Sequence, residues 1–181
     1  DKQIDEFMRN LHKRRGFNGN VLAAKKGKIV YQKAIGWADY LHRDSLHINS
    51  KFELASVTKP MTATAVLMLA EQGKLKLDQT VKDFFPDFPY EGITVRMLLS
   101  HRSGMMNYVY FVDGVFKKEK RSESKGISNM DVMKLIAERK PSPYTRPVVK
   151  FHYNNSNYMV LPSIIEKVCG MAYSQFMCEN V

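Results

Sequence analysis

Cysteine is nearly missing from this sequence. Cys169 and Cys178 are the two among 181 residues, so no disulfide framework is implied and the compartment stays open. Long apolar runs are missing as well. The longest, residues 63–70, is far too short to cross a hydrocarbon layer about 30 Å thick. No leader segment opens the sequence, and a start at Asp1 rather than Met is compatible with one having been removed. Internal repeats are absent. Acidic residues are comparatively few, 18 against 28 Lys and Arg, which leaves a formal charge of +10. Such an excess can serve nucleic acid or an anionic surface. The basic residues are nonetheless spread along the chain, clustered only at Lys13-Arg14-Arg15 and within residues 117–121, and no nucleic-acid motif accompanies them. No nucleic-acid partner is expected.

What is present is globular. The apolar share is 44% and aromatics make up 11%, enough for one good core or two small lobes. Ile4, Phe7, Met8 and Leu11 recur at helical spacing, with acids early, Lys13-Arg14-Arg15 late and Gly16 as a stop, which predicts an amphipathic first helix. Residues 20–24 and 29–35 flank Lys26-Gly27 and predict a β-hairpin. Residues 37–50 are mixed and polar, an irregular crossing segment. A strongly helical pattern runs from Ser56 to Gly73. Residues 81–88 read as turn and short helix, Thr94 caps a helix through Leu99, and residues 117–125 read as a mobile surface loop. Asn129 is expected to cap a helix through Val132, Leu135 and Ile136. Further helices are expected over residues 156–168 and 172–180, with Pro162 kinking the first or cutting it short.

Two stretches carry chemistry. In the first, Ser56-Val57-Thr58-Lys59 stands at the mouth of the apolar helix. Residues three apart share a helix face, so the Lys59 amine can reach the Ser56 hydroxyl. Pro60 supports this placement, because its missing N–H falls among the unpaired donors of the first turn. Those donors and the positive dipole end suit a developing oxyanion. A capping serine beside a solvated lysine is the plainer alternative. The spacing itself is weak evidence, since a Ser-x-x-Lys is expected by chance in a chain of this size, and a second copy occurs at Ser122-Glu123-Ser124-Lys125. In the second stretch, Tyr153 is the one tyrosine of nine followed two positions later by asparagine. A phenol near ammonium groups loses its proton more easily, so Tyr153 can take the Ser56 proton and return it to a leaving group. Asn155 can bridge Lys59 to a substrate amide. A polar loop capping the next helix would explain the same residues structurally.

Taken in order, the motifs resemble the serine β-lactamase and penicillin-binding protein superfamily, in its class C-like branch of β-lactamase-related hydrolases and esterases. The matching pieces are Phe17-Asn18-Gly19-Asn20-Val21-Leu22 with Lys26-Gly27-Lys28, and Phe52-Glu53-Leu54-Ala55-Ser56-Val57-Thr58-Lys59. Next come Glu71-Gln72-Gly73-Lys74-Leu75 and Leu98-Leu99-Ser100-His101-Arg102-Ser103-Gly104. Tyr153-Asn154-Asn155 and Ile164-Ile165-Glu166-Lys167-Val168-Cys169-Gly170 complete the set. The resemblance implies Ser56 as acyl-accepting nucleophile, Lys59 as its proton-sharing partner, Tyr153 as acid/base and Asn155 as substrate-positioning group. It implies no metal and no cofactor, and it leaves His101 structural. The implied substrate is a small molecule or peptide: an ester, a β-lactam or a D-amino-acid peptide. The implied location is periplasmic or secreted. The class opposed to this is a non-catalytic domain that keeps the fold as a binding or interaction module.

The implied fold is α+β and β-lactamase/transpeptidase-like. Residues 1–55 would give the N-terminal helix and the β-hairpin of an antiparallel sheet. Residues 56–181 would give most of an all-helical lobe carrying the Ser-x-x-Lys and Tyr-x-Asn motifs. The C-terminal sheet strands are absent, including the strand with Lys or His followed two residues on by Gly that supplies a second oxyanion donor. The expectation is therefore a truncated and inactive fragment with a sound helical lobe, a poorly supported sheet and a tendency to self-associate through an open sheet edge. Relatives often carry a Pro-Gly turn where this chain has Pro147-Val148.

Overall fold

The computed structural model describes residues 1–119, 126–148 and 150–181. They divide into two compact units, residues 1–54 and 55–181.

In the first unit, helix α1 (Lys2–Arg15) opens on Asp1, whose carboxylate accepts from the Gln3 and Ile4 N–H groups, and closes at Gly16. Strands β1 (Gly19–Lys25) and β2 (Lys28–Ile35) form an antiparallel hairpin with a register shift at Ala23/Ala24. The two-residue turn has positive φ at both Lys26 (50°) and Gly27 (74°). This is the mirror-image geometry that matches strand twist, and glycine enters it without strain. α1 is tied to β2 through Asp5, which accepts from Tyr31 Oη (3.1 Å) and Lys33 Nζ (2.5 Å). Residues 37–50 are more regular than their polarity suggests. Strands β3 (Trp37–Asp39) and β4 (Asp44–Ser45) pair antiparallel, because the Asp39 carboxylate captures the Leu41 and His42 N–H groups and turns the chain back. Met8, Tyr31 and Leu46 are the buried large side chains here, while Leu22, Ile29 and Val30 stay exposed.

The second unit is helical. A 3₁₀ turn (Ala55–Val57) leads into α2 (Thr58–Glu71), followed by α3 (Val81–Phe84), α4 (Val95–Leu99), α5 (Tyr108–Glu119), α6 (Asn129–Arg139), α7 (Asn155–Cys169) and α8 (Tyr173–Asn180). α7 is the central element: Val160, Leu161, Ile164 and Ile165 are fully buried against side chains of α2, α4 and α6 such as Val66, Leu69, Leu98 and Ile136. Each such side chain contributes roughly 1.5–3 kcal/mol by leaving water.

Three further expectations change. Pro162 does not cut α7 short, since the helix runs on to Cys169 with nine buried residues, the proline among them; their burial outweighs one missing backbone hydrogen bond. Residues 117–119 are not loop but the last turn of α5, an amphipathic helix whose Tyr108, Phe111, Val112, Val115 and Phe116 face the core. The remainder of that expected loop, including Ser122-Glu123-Ser124-Lys125, lies outside the described residues. The cap of α6 is Ser128 rather than Asn129, in a reciprocal box with Asp131.

Candidate active site

Ser56 sits in the 3₁₀ turn, one residue after Ala55, which adopts a left-handed φ of 45°. A non-glycine residue there costs roughly 1–2 kcal/mol, and the bend places Ser56 at the head of α2. No side chain caps α2, so its first-turn N–H groups are unclaimed by a capping oxygen. Pro60, third in the helix, contributes no donor to that turn.

The second segment is set by α7. Asn154 is its cap: its Oδ1 accepts from the Ser156 N–H and its Nδ2 donates to the Met105 carbonyl. Ser156 Oγ donates to the Met106 carbonyl and accepts from the Tyr108 N–H. The His152 N–H donates to the His101 carbonyl, and the Val148 N–H to the Arg102 carbonyl. Tyr153 and Asn155, flanking the cap, are thereby aimed at the start of α2. The departure at Pro147-Val148 has a visible consequence: Val148 takes φ of 70°, a left-handed conformation that glycine adopts freely and a β-branched residue does not.

All four residues singled out in the sequence meet. Lys59 Nζ donates to Ser56 Oγ at 2.9 Å and to Asn155 Oδ1 at 2.9 Å. Ser56 Oγ and Tyr153 Oη are 2.6 Å apart in a shared hydrogen bond. Lys59 Nζ also lies 5.0 Å from the centre of the Tyr153 ring and 5.7 Å from that of Tyr158. Hydrogen bonding to Lys59, and then to Ser56, lowers the Tyr153 pKa below its ordinary 10, whereas burial raises that of Tyr158. Ser56 and Tyr153 are exposed and Lys59 is half-buried, so the hydroxyl is open to a substrate while the amine is held. Behind Lys59 a pocket of about 160 Å³ is lined by Thr58, Thr62, Tyr108, Asn129 and Met159. Among the described residues no His, Cys, Asp and Glu side chains gather in a group able to hold a metal ion.

Several neighbours of these four residues are not apparent from motif spacing. The His101 ring lies against the Tyr153 ring at 4.5 Å between centres, and Asn154 and Asn157 are buried beside it. Their signal was the His-x-Ser-Gly sequence together with asparagines at positions 154, 155 and 157, legible as a group only once the two segments are known to touch.

A family model described as Beta-lactamase matches residues 4–181. The chain is 36% identical over 180 residues to "Penicillin-binding protein 4*" of Bacillus subtilis (strain 168), covering 99% of this chain and 39% of that protein. The penicillin binding protein from Bacillus halodurans superposes with a TM-score of 0.79 at 26% identity, over 96% of this chain and 52% of that one. The D-amino acid amidase from Ochrobactrum anthropi SV3, complexed with L-phenylalanine, gives a TM-score of 0.74 at 26% identity, over 94% and 45% of the two chains. The chain therefore spans about two fifths of the curated relative.

Proposed function

Because the chain belongs to the Beta-lactamase family, with its α+β, β-lactamase/transpeptidase-like fold, we propose that it carries the nucleophilic half-site of a serine hydrolase acting on an ester, amide or β-lactam. One observation carries the reading: the Ser56 hydroxyl is held simultaneously by an ammonium and by a phenol of lowered pKa. Tyr153, as phenolate beside Lys59, takes the Ser56 proton while Oγ attacks the substrate carbonyl carbon. The tetrahedral oxyanion draws on the Ser56 N–H at the head of α2. As the scissile bond breaks, Tyr153 returns the proton to the departing oxygen or nitrogen, leaving Ser56 acylated. Water then attacks the acyl carbon, gives its proton to Tyr153 and releases the acid, and Ser56 recovers its hydrogen. Asn155, with Oδ1 fixed by Lys59, keeps its amide N–H₂ free to orient a substrate carbonyl.

The amidase neighbour and the penicillin-binding relatives support amide or β-lactam substrates. For the 181 residues by themselves we expect no turnover or almost none: the resemblance assigns the second oxyanion donor to a strand outside them, and loss of one donor costs about 10²–10³ in rate. The test is covalent. Incubation with a fluorophosphonate and, separately, with a labelled penicillin should give an adduct that peptide mapping places on Ser56. An adduct that persists unchanged in Ser56→Ala would overturn the assignment. A folded protein that takes no label at Ser56 would point to a non-catalytic binding domain.

A further inference from the structure

His101 is buried in the second unit, at the turn after α4, and its partners fix its state. The Asn154 backbone N–H lies 3.1 Å from Nδ1. A backbone amide can only donate, so Nδ1 must hold a lone pair and any ring proton must sit on Nε2. The assignment propagates. Asn157 Nδ2, 3.0 Å from the same Nδ1, must also be a donor, which turns Asn157 Oδ1 toward Ser103 Oγ at 2.5 Å; Ser103 Oγ in turn accepts from the Met105 N–H. The ring lies against Tyr153 and Tyr158, at 4.5 and 5.1 Å between centres and tilted by 35° and 36°, with the Phe151 ring nearly perpendicular to it at 5.9 Å.

We propose that neutral His101 is the positioning residue of this site, its Nδ1 lone pair locking the turn that carries Tyr153 and Asn155 and its ring serving as the shelf for the Tyr153 phenol. The proposal rests on the reading of Ser56 as nucleophile. An imidazolium would disarm the arrangement. Its new Nδ1–H would confront two donors, Asn154 N–H and Asn157 Nδ2–H, and the turn would have to shift. The ionisable groups facing the ring are Lys59 from α2, His152 and Tyr153 from the segment ahead of α7, and Tyr158 from α7. None supplies a carboxylate to favour the charged ring, and burial, then Lys59, hold the His101 pKa below its usual value.

Ring-¹⁵N-labelled protein and the rate of Ser56 labelling by a fluorophosphonate, followed by intact mass across pH, test this together. The spectrum should show Nδ1 unprotonated and Nε2 protonated at neutral pH. On acidification the labelling rate should first fall with loss of the Tyr153 phenolate, and the fall per pH unit should double once His101 takes a proton. His101→Phe keeps a ring without the acceptor and should label about 10²-fold more slowly, the usual cost of an ångström-scale misplacement. His101→Asn restores an acceptor near Nδ1 and should recover part of that loss, with no doubling of the acid fall. A proton on Nδ1, a His101→Phe rate equal to wild type, or a His101→Asn profile that still doubles would each overturn the proposal. If His101→Phe does not fold, the nitrogen spectrum and the His101→Asn profile decide. Wild-type protein that folds but never labels at Ser56 would instead sink the nucleophile assignment, and the role of His101 in it.

Discussion

On the proposed reading Lys59 is the side chain on which the chemistry converges, since it donates to both Ser56 Oγ and Asn155 Oδ1. Lys59→Ala and Tyr153→Phe should each slow Ser56 acylation by ~10²-fold or more, the scale of losing a proton-transfer group. They differ in pH behaviour. Hydrogen bonding to Lys59 is the largest cause of the lowered Tyr153 pKa. A lowered phenol pKa means the phenolate is available at lower pH, so the wild-type rate should rise to its plateau below the ordinary tyrosine range. In Lys59→Ala that rise should move up in pH, and in Tyr153→Phe it should vanish; stopped-flow labelling across pH would report either. Val148 gives a second prediction. Relief of a left-handed valine is worth about 1–2 kcal/mol and the greater freedom of an unfolded glycine takes back about 0.4–1. Val148→Gly should therefore stabilise the protein by roughly 0.5–1 kcal/mol in urea titration without slowing acylation. A lower midpoint would show that Val148 makes contacts that outweigh its strain.

Among elements, the turn from His101 to Met106 decides whether α7 presents Tyr153 correctly. Gly104 has φ of 71°, and a Cβ there would stand 2.3 Å from the Thr145 carbonyl oxygen; the Gly104 carbonyl in turn accepts from the Tyr144 and Thr145 N–H groups. Gly104→Ala should cost about 2–3 kcal/mol in unfolding free energy and slow Ser56 labelling with it. A variant with wild-type stability would mean that residues 144–145 yield at no cost. Much of this level was legible. The hairpin, α1 and α2 announced themselves by period and by Gly16, Lys26-Gly27 and Gly73, and Ser56, Lys59, Tyr153 and Asn155 were recognisable through motif order. α5 is hard to see although its apolar residues keep a helical spacing, because the charged stretch after it has the composition of a loop. Pro162 misled because local propensity says nothing of how deeply a helix is buried. The His101 network was not legible from spacing, because it depends on contacts across more than 50 residues.

For the molecule as a whole, the two units differ in what holds them. The apolar core cluster belongs to the second unit, while the first relies on a few buried side chains and on Asp5. Small units with little buried area open most readily. In hydrogen exchange the β1–β2 amides should exchange well before those of α7, and equal protection would show that the hairpin is held by more than its own core. Acid should widen the gap. Hydrogen bonds from Lys33 and then Arg9 hold the Asp5 carboxyl well below the usual carboxylate range. The stabilisation it gives is thus present above the unfolded value near 4 and is lost as pH falls toward the folded one. Hairpin protection should drop over that interval in the wild type, and in Asp5→Asn it should be lower throughout and flatter with pH.

The 97 residues that separate Ser56 from Tyr153 also impose a schedule. A ribosome adding about 5–20 residues per second releases Ser56 and Lys59 several seconds before Tyr153, whose phenol shares a hydrogen bond with the Ser56 hydroxyl. Throughout that interval the nascent chain displays an ordinary serine, indifferent to the acyl donors around it. If Ser56 is the nucleophile proposed above, its hydroxyl is armed only when α7 has been made and docked, and reactivity arrives together with the helix that organises the lobe.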